Sequence, residues 1–171
     1  MTVVRTEQPG DEEAIRGVNL AAFPSADEAD LVDALRRDAA WLPGLSFVAE
    51  SDDQVVGHLL LTRATVSGEN GEGTPVLALG PMAVLPAWHD HGIGSALVRA
   101  AIESARDGGE TLIVVLGHPW FYPKFGFRPA RAMGLEPPGP WPDPAWMALS
   151  LQSDVSQTRG TVHFAAPFAA E

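Results

Sequence analysis

Two strongly apolar strands separated by a helix constrain the fold of this chain more than any other feature. VLALGPMAV (76–84) and TLIVVLG (111–117) are apolar almost throughout, which is typical of strands buried on both faces of a sheet. Between them, apolar residues recur at helical spacing after Gly94, and Gly108-Gly109 ends the pattern. A strand, a helix and a strand in this order predict a right-handed crossover between parallel neighbours.

The flanking sequence predicts further strands and two more helical segments. We expect strands at residues 3–6, 46–50, 54–66, 145–151 and 161–165, and helices from Asp11 and after Ser25. Ser25 and Glu28 have the spacing of a capping box. Gly80-Pro81 predicts a bulge or splay in the central strand, because proline cannot donate to a sheet ladder. The polar segment SGENGEGT (67–74) is typical of a mobile hairpin tip.

Length and composition exclude several classes of function. The 171 residues suit one compact domain, 1–171, and the absence of cysteine excludes disulfides, thiolate zinc sites and acyl-cysteine intermediates. A formal net charge of -11 argues against nucleic-acid binding and suits either solubility or a cationic partner. There is no apolar run of membrane-spanning length and no recognisable secretion signal, so we expect no membrane association and a cytoplasmic location.

The segment HDHGIGSA (89–96) predicts a site for a phosphate group. A helix N-terminus presents unpaired N–H groups, and glycine lets a phosphate approach the backbone closely. The alternative is a tight turn that needs two glycines for helix packing. A dinucleotide fingerprint does not fit, because Leu97 stands at the position of the third glycine, and a P-loop does not fit, because the loop has no lysine.

These residues resemble the GCN5-related N-acetyltransferase (GNAT) family. MAVLPAWHDHGIGSALVRAAIE (82–103) is similar to the family's strand, Gln/Arg-x-x-Gly-x-Gly/Ala loop and helix, with His89 in place of Gln or Arg. FYPKFGF (121–127) resembles a second family block, Tyr-x-x-x-Gly-Phe. VVGHLLL (55–61) and GTVHFAAPF (160–168) resemble a YhbS-type subgroup.

The resemblance implies an α/β (α+β) domain with a mixed, twisted central sheet of about six to seven strands. Helices would cover both faces, and the two central parallel strands would splay apart. It also implies acetyl-CoA as co-substrate and a primary amine, on a small molecule or a protein, as acceptor. The residues implied to bind the cofactor are Met82, Ala83, Val84, His89, Asp90, His91, Gly92, Ile93, Gly94, Ser95, His118, Phe121 and Tyr122.

The resemblance also assigns catalytic roles. The backbone N–H of Val84 would stabilise the oxyanion, and Tyr122, the only tyrosine, would protonate the leaving thiolate as general acid. The alternative for Tyr122 is a packed aromatic residue. His118 is a candidate general base, Glu50 and His58 are weaker ones, and a water chain or no base at all is equally compatible. Direct attack in a ternary complex is expected, because no thiol is present to carry the acyl group.

The sequence offers alternatives for metal binding, acceptor selection, functional class and oligomeric state. His89, Asp90 and His91 could ligate a metal, but they lie where phosphate is expected, so no metal is predicted. The acceptor would be selected by residues 11–40 and 67–74. Within the first segment, three acidic residues either attract cations or form a solvated helix start, and these are Asp27, Glu28 and Asp30. Three tryptophans either line the acceptor site or pack in the core, and these are Trp41, Trp141 and Trp146. The functional alternative is a non-catalytic acyl-CoA-binding sensor or partner module, and the chain would be a monomer or a homodimer.

Overall fold

The computed structural model describes residues 1–68, 73–152 and 158–170. Its strands are β1 (Thr2–Thr6), β2 (Trp41–Ser51), β3 (Gln54–Ser67), β4 (Gly73–Val84), β5 (Leu112–Leu116), β6 (Arg128–Pro129), β7 (Leu135–Glu136), β8 (Trp146–Ser150) and β9 (Gly160–His163). Its α-helices are α1 (Glu12–Ala22), α2 (Asp27–Arg36) and α3 (Ile93–Asp107).

Within these ranges the strands form one mixed sheet in the order β1-β2-β3-β4-β5-β8-β6, and β9 pairs with β3 and β7. β4 and β5 are parallel and are joined through α3, so the predicted crossover and the mixed α+β sheet are confirmed. β9 pairs antiparallel with β3 of its own chain, from Thr65↔His163 to Ser67↔Thr161. The closing strand therefore completes the sheet from within the same chain.

Alternation along β3 places the helices on opposite faces of the sheet. Leu59 and Leu61 pack in the cluster that contains the buried face of α3, whereas Leu60 packs with Ile15 of α1 and Leu35 of α2. Neighbouring residues of a strand point to opposite faces, so α3 covers one face, and α1 and α2 cover the other. A third cluster surrounds the fully buried Trp146 and packs between the sheet and the loop that follows β6.

The parallel pair β4–β5 is short, and the two strands diverge beyond it. Their pairing ends at Leu79↔Val115. Past this point the Gly117 N–H donates to Ala145 O at 2.9 Å, so the end of β5 turns toward the start of β8. β4 continues to Val84 along β3, with a register shift between Leu59 and Leu61 at the level of Gly80-Pro81. The predicted bulge is confirmed, and a gap opens between the two central strands.

Local differences from the sequence prediction have physical causes. The prediction of a capping box is wrong. Ala26 is the N-cap of α2 and makes no side-chain cap bond, and Ser25 Oγ instead accepts a hydrogen bond from Asp27 N–H at 3.3 Å. α3 begins at Ile93 rather than after Gly94, because Gly92 adopts the left-handed N-cap conformation. The predicted tip at 67–74 includes residues 69–72, which lie outside the described residues.

The helices of the described ranges are too short or too polar to cross a bilayer.

Gly57 on β3 should fix how closely α3 approaches the sheet. A Cβ at this position would lie 2.8 Å from Ile93 Cγ2 and 3.1 Å from a Leu97 methyl group. We expect Gly57→Ala to lower the free energy of unfolding by about 1–3 kcal/mol through overpacking, as measured by urea denaturation. The control is Gly17→Ala on α1, where a Cβ meets nothing within 4 Å, and which should raise stability by up to about 1 kcal/mol. Equal effects of the two substitutions would contradict this role.

Candidate functional site

The N-terminus of α3 presents a set of unpaired backbone amides. Gly92 caps the helix at φ 75° and ψ 12°, and no side chain bonds to the cap. The first intrahelical bond runs from Ala96 N–H to Gly92 O at 3.0 Å. The preceding amides, Ile93, Gly94 and Ser95, therefore have no acceptor in the described chain, and with the helix dipole they can hold an anion.

Gly94, in the first turn of α3, lies beside two predicted site residues. A Cβ on Gly94 would lie 3.5 Å from Phe121 Cζ and 3.6 Å from Met82 Cε. Phe121 follows β5 and Met82 belongs to β4, so the cap of α3 faces the point where the two strands separate. The structure thus brings together the glycine loop, the end of β4 and the aromatic segment after β5.

The two histidines of the loop make local bonds to the backbone. His89 Nε2 lies 3.1 Å from Val84 O, and His91 Nδ1 lies 2.8 Å from His89 O. A carbonyl oxygen only accepts, so both ring nitrogens donate. Asp90 has a positive φ of 67°, which turns the chain into the helix. No group of three or more His, Asp or Glu suited to a metal ion occurs in the described ranges.

The free edge of β4 offers backbone groups at alternate residues. Leu85 N–H donates to Val56 O at 2.9 Å, and the register pairs Ala83 with His58. Hydrogen-bonded and non-hydrogen-bonded pairs alternate in an antiparallel ladder, so the amide and carbonyl of Ala83 face β3. Those of Met82 and Val84 face away from β3, toward the gap. The Val84 carbonyl is engaged by His89, whereas its N–H points to the gap.

Tyr122 is packed at the end of β5. Its ring lies against Gly117, where a Cβ would be only 2.4 Å from Tyr122 Cε2. Phe121 and Phe127 flank the ring edge-on at centroid distances of 5.0 and 5.4 Å. The residue is only 5% exposed, and burial raises the pKa of its phenol to about 12. Burial therefore favours the neutral form of this phenol.

A cavity of about 810 Å³ joins the gap between the strands to the face covered by α1 and α2. Its volume lies in the range of small-molecule sites. One wall is formed by the diverging ends of β4 and β5 with Tyr122 and His118. The other walls come from three distant parts of the chain. The α1–α2 region contributes Phe23, Glu28 and Leu31, and the loop before β8 contributes Pro138, Gly139 and Trp141. The third wall is the C-terminal segment between His163 and Ala169.

The three candidate bases have different surroundings. His118 lines the cavity and stacks on Trp120 at a centroid distance of 5.0 Å. Glu50 lies 3.3 Å from Arg5 and lines a separate pocket beside α1. His58 is fully buried, and burial, with a smaller effect of Arg36, lowers its pKa to about 3. Of the three, His118 alone lines the cavity.

Two features of the site escaped the sequence analysis. Lys124, the only lysine of the chain, lies 4.6 Å from the Phe121 ring centroid, which brings a positive charge near the cap of α3. The C-terminal segment contributes Phe164 and Phe168, whose rings pack edge-on at 5.1 Å. The position of Lys124 inside FYPKFGF was a usable signal, whereas nothing local in the C-terminal sequence indicates a cavity wall.

The model of the acetyltransferase (GNAT) family matches residues 13–127, which is more than half of the chain. The chain belongs to the GNAT family. It is 38% identical over 162 residues to the uncharacterized N-acetyltransferase YjhQ of Escherichia coli K12, covering 92% of this chain and 88% of YjhQ. It is 31% identical over 153 residues to the uncharacterized N-acetyltransferase YhbS of the same strain, covering 89% of each.

Solved structures agree with this assignment. The crystal structure of Escherichia coli YhbS in complex with CoA has a TM-score of 0.90 and 29% identity, over 98% of this chain and 92% of that one. A GNAT family acetyltransferase from Brucella melitensis, in complex with acetyl-CoA, has a TM-score of 0.80 and 31% identity over 98% of both chains. The predicted family, its YhbS-like subgroup and the GNAT-type fold are confirmed.

The single tyrosine makes the environment of Tyr122 directly measurable. We expect phenolate absorbance to titrate near pH 12 in the folded protein rather than near the ordinary value of 10. The pKa of Tyr122 is higher in the folded protein than in the unfolded chain. The contribution of the neutral phenol to folding stability is therefore complete below pH 10 and is lost as the pH rises toward 12. Unfolding free energy measured across this window should therefore fall more steeply in the wild type than in Tyr122→Phe. A phenolate transition near pH 10 in the folded protein would contradict the buried environment.

Proposed function

We propose that this chain, acting as one domain over residues 1–171, transfers an acetyl group from acetyl-CoA to a primary amine by direct attack in a ternary complex. The observation that carries the proposal is the convergence of three features at one gap: the free amides of α3, the unpaired edge of β4 and the protonated Tyr122. The complexes of YhbS with CoA and of the Brucella protein with acetyl-CoA support this choice of co-substrate.

The α3 cap is suited to the diphosphate of coenzyme A. The amides of Ile93, Gly94 and Ser95 donate to phosphate oxygens, the Ser95 hydroxyl adds a donor, and the amide of His91 completes the loop. Lys124 supplies a positive charge beside them. The pantetheine arm then pairs with Met82 as an added strand would, because the backbone groups of Met82 face the gap while those of Ala83 face β3, and the Val84 N–H is left for the acetyl carbonyl.

Three groups of the chain act on the acetyl transfer. The amine nitrogen forms a bond to the acetyl carbon as the carbon–sulfur bond breaks. The Val84 N–H donates to the carbonyl oxygen as it gains negative charge, and Tyr122 donates its proton to the departing sulfur. The proton of the amine leaves to His118, which lines the same cavity, or to a chain of waters.

The first test of the proposal is thiol release from acetyl-CoA with a panel of primary amines, followed by initial rates at varied concentrations of both substrates. We expect intersecting double-reciprocal lines, since a ternary complex precedes chemistry. Parallel lines would contradict direct attack. Coenzyme A binding without thiol release from any amine would instead support a non-catalytic acyl-CoA-binding module.

Diphosphate binding by the N–H groups at the start of α3 is tested by substituting a glycine at each end of the helix. Gly92 and Gly109 both have positive φ, 75° and 81°, and a Cβ at either meets nothing within 4 Å. Alanine costs each about 1–2 kcal/mol of backbone strain. We expect Gly92→Ala to weaken coenzyme A binding by about tenfold in calorimetry. The backbone at position 92 would relax from the strained conformation, and the N–H groups at the start of α3 would then turn away from the diphosphate. Gly109→Ala should lose similar stability but keep the affinity, and equal affinities for the two variants would contradict diphosphate binding by these N–H groups.

The role of Tyr122 is tested by Tyr122→Phe, which keeps the ring packed on Gly117 and removes only the hydroxyl. We expect kcat to fall by about a hundredfold, the scale of general acid catalysis, with the affinity for coenzyme A unchanged. Phe127→Leu, a change in the ring that packs against Tyr122, is the control for disturbed packing and should leave most of kcat. Unchanged turnover in Tyr122→Phe would remove the acid assignment.

A further inference from the structure

The cavity on the α1–α2 face is apolar except at a few points. Trp141, Phe164 and Phe168 form a continuous aromatic wall, with centroid distances of 5.4 Å and 5.1 Å between successive rings. Leu31 of α2 and Phe23 at the end of α1 extend the apolar surface. A ligand body that fills this space gains free energy by leaving water, so the cavity favours an acceptor with an apolar body.

One carboxylate lies in this apolar surface. Glu28 is the only acidic residue among the described residues that line the cavity, and no lysine or arginine lines it there. Its Oε1 atom is buried and has no hydrogen-bond partner in the described chain. A buried carboxylate oxygen without a partner is costly, and a cation of the ligand would remove that cost.

The other acidic residues of α2 do not share this position. Asp30 and Asp33 pair with Arg16 at 2.9 and 2.7 Å, and Asp27 is exposed. The capping interaction expected for Glu28 is not made, since Ala26 is the N-cap and no side chain bonds to it. Glu28 is therefore distinguished from its neighbours by its buried Oε1 atom, which has no partner in the described chain, and not by its place at a helix start.

Glu28 and Tyr122 reach the cavity from different parts of the fold. Tyr122 packs on Gly117 and Phe127 at the end of β5, within the core on the α3 side of the sheet. Glu28 belongs to α2, whose buried face packs with Phe168 on the opposite side. Both residues line the same cavity as the aromatic wall. Glu28 and Tyr122 can thus face two different amino groups of one ligand.

We propose that Glu28 selects the acceptor: a primary amine whose apolar body ends in a second cationic group, which pairs with the Glu28 carboxylate. The apolar body covers the aromatic wall, and the free amine reaches the gap between β4 and β5. This assignment of substrate class rests on the proposed acetyl transfer, and Glu28 is a specificity-determining residue rather than a catalytic one.

The experiment compares hexamethylenediamine with hexylamine and with aminohexanol, which have the same chain but lack the second cation. Calorimetric binding is measured with wild-type protein, Glu28→Gln and Asp27→Asn, the last as a control that removes an exposed charge one residue away. We expect the wild type and Asp27→Asn to bind the diamine at least tenfold more tightly than either analogue. Glu28→Gln should bind all three alike, with coenzyme A affinity unchanged.

Equal binding of the three amines by the wild type, or a preference for the diamine that survives Glu28→Gln, overturns the proposal. Equal binding of the three amines by the wild type overturns the proposal even if a variant fails to fold. Failure of the proposed function has a different signature, namely loss of coenzyme A binding or of thiol release with every amine, and binding of the diamine is measured independently of both. In turnover, Glu28→Gln should raise KM for the diamine and leave kcat nearly unchanged, since Glu28 does not contact the reacting atoms.

Discussion

The separation of β4 from β5 beyond Leu79 and Val115 is the constraint on which the rest of the site depends. Two parallel strands that stayed paired would satisfy the backbone groups of Met82 and Val84 within the sheet, and the cavity would have no connection to the α3 face. The divergence costs several ladder hydrogen bonds. It is sustained because β3 on one side and β8 on the other hold the two strands in their separate directions.

The sequence predicts the central part of this arrangement well, because local signals there agree with the tertiary structure. The apolar strands 76–84 and 111–117, the helix between them and the glycine loop each have a short-range pattern, and their order leaves few topologies. The Tyr122 block is recognised through its resemblance to the family's Tyr-x-x-x-Gly-Phe. These are the segments for which periodicity, turn residues and motif spacing all indicate the same structure.

The acceptor cavity is less predictable, since its walls come from segments that are far apart in the chain. Glu28 has the spacing of a capping residue, and only the packing of α2 against the C-terminal segment reveals that its carboxylate faces a cavity. His58 is a comparable case, because a histidine on a central strand suggests proton transfer. In the structure it bonds Ser46 Oγ at 2.9 Å in a chain that continues to Glu7 and Arg36, and this network ties α2 to the sheet.

The contact between Tyr122 and Gly117 has a consequence for how this site can vary among relatives. The phenol ring occupies the space that any Cβ at position 117 would need. A larger residue there is compatible only with a displaced or smaller residue at position 122. The two positions should therefore covary in sequence alignments. Residues other than glycine should occur at position 117 in those relatives that lack a tyrosine at position 122.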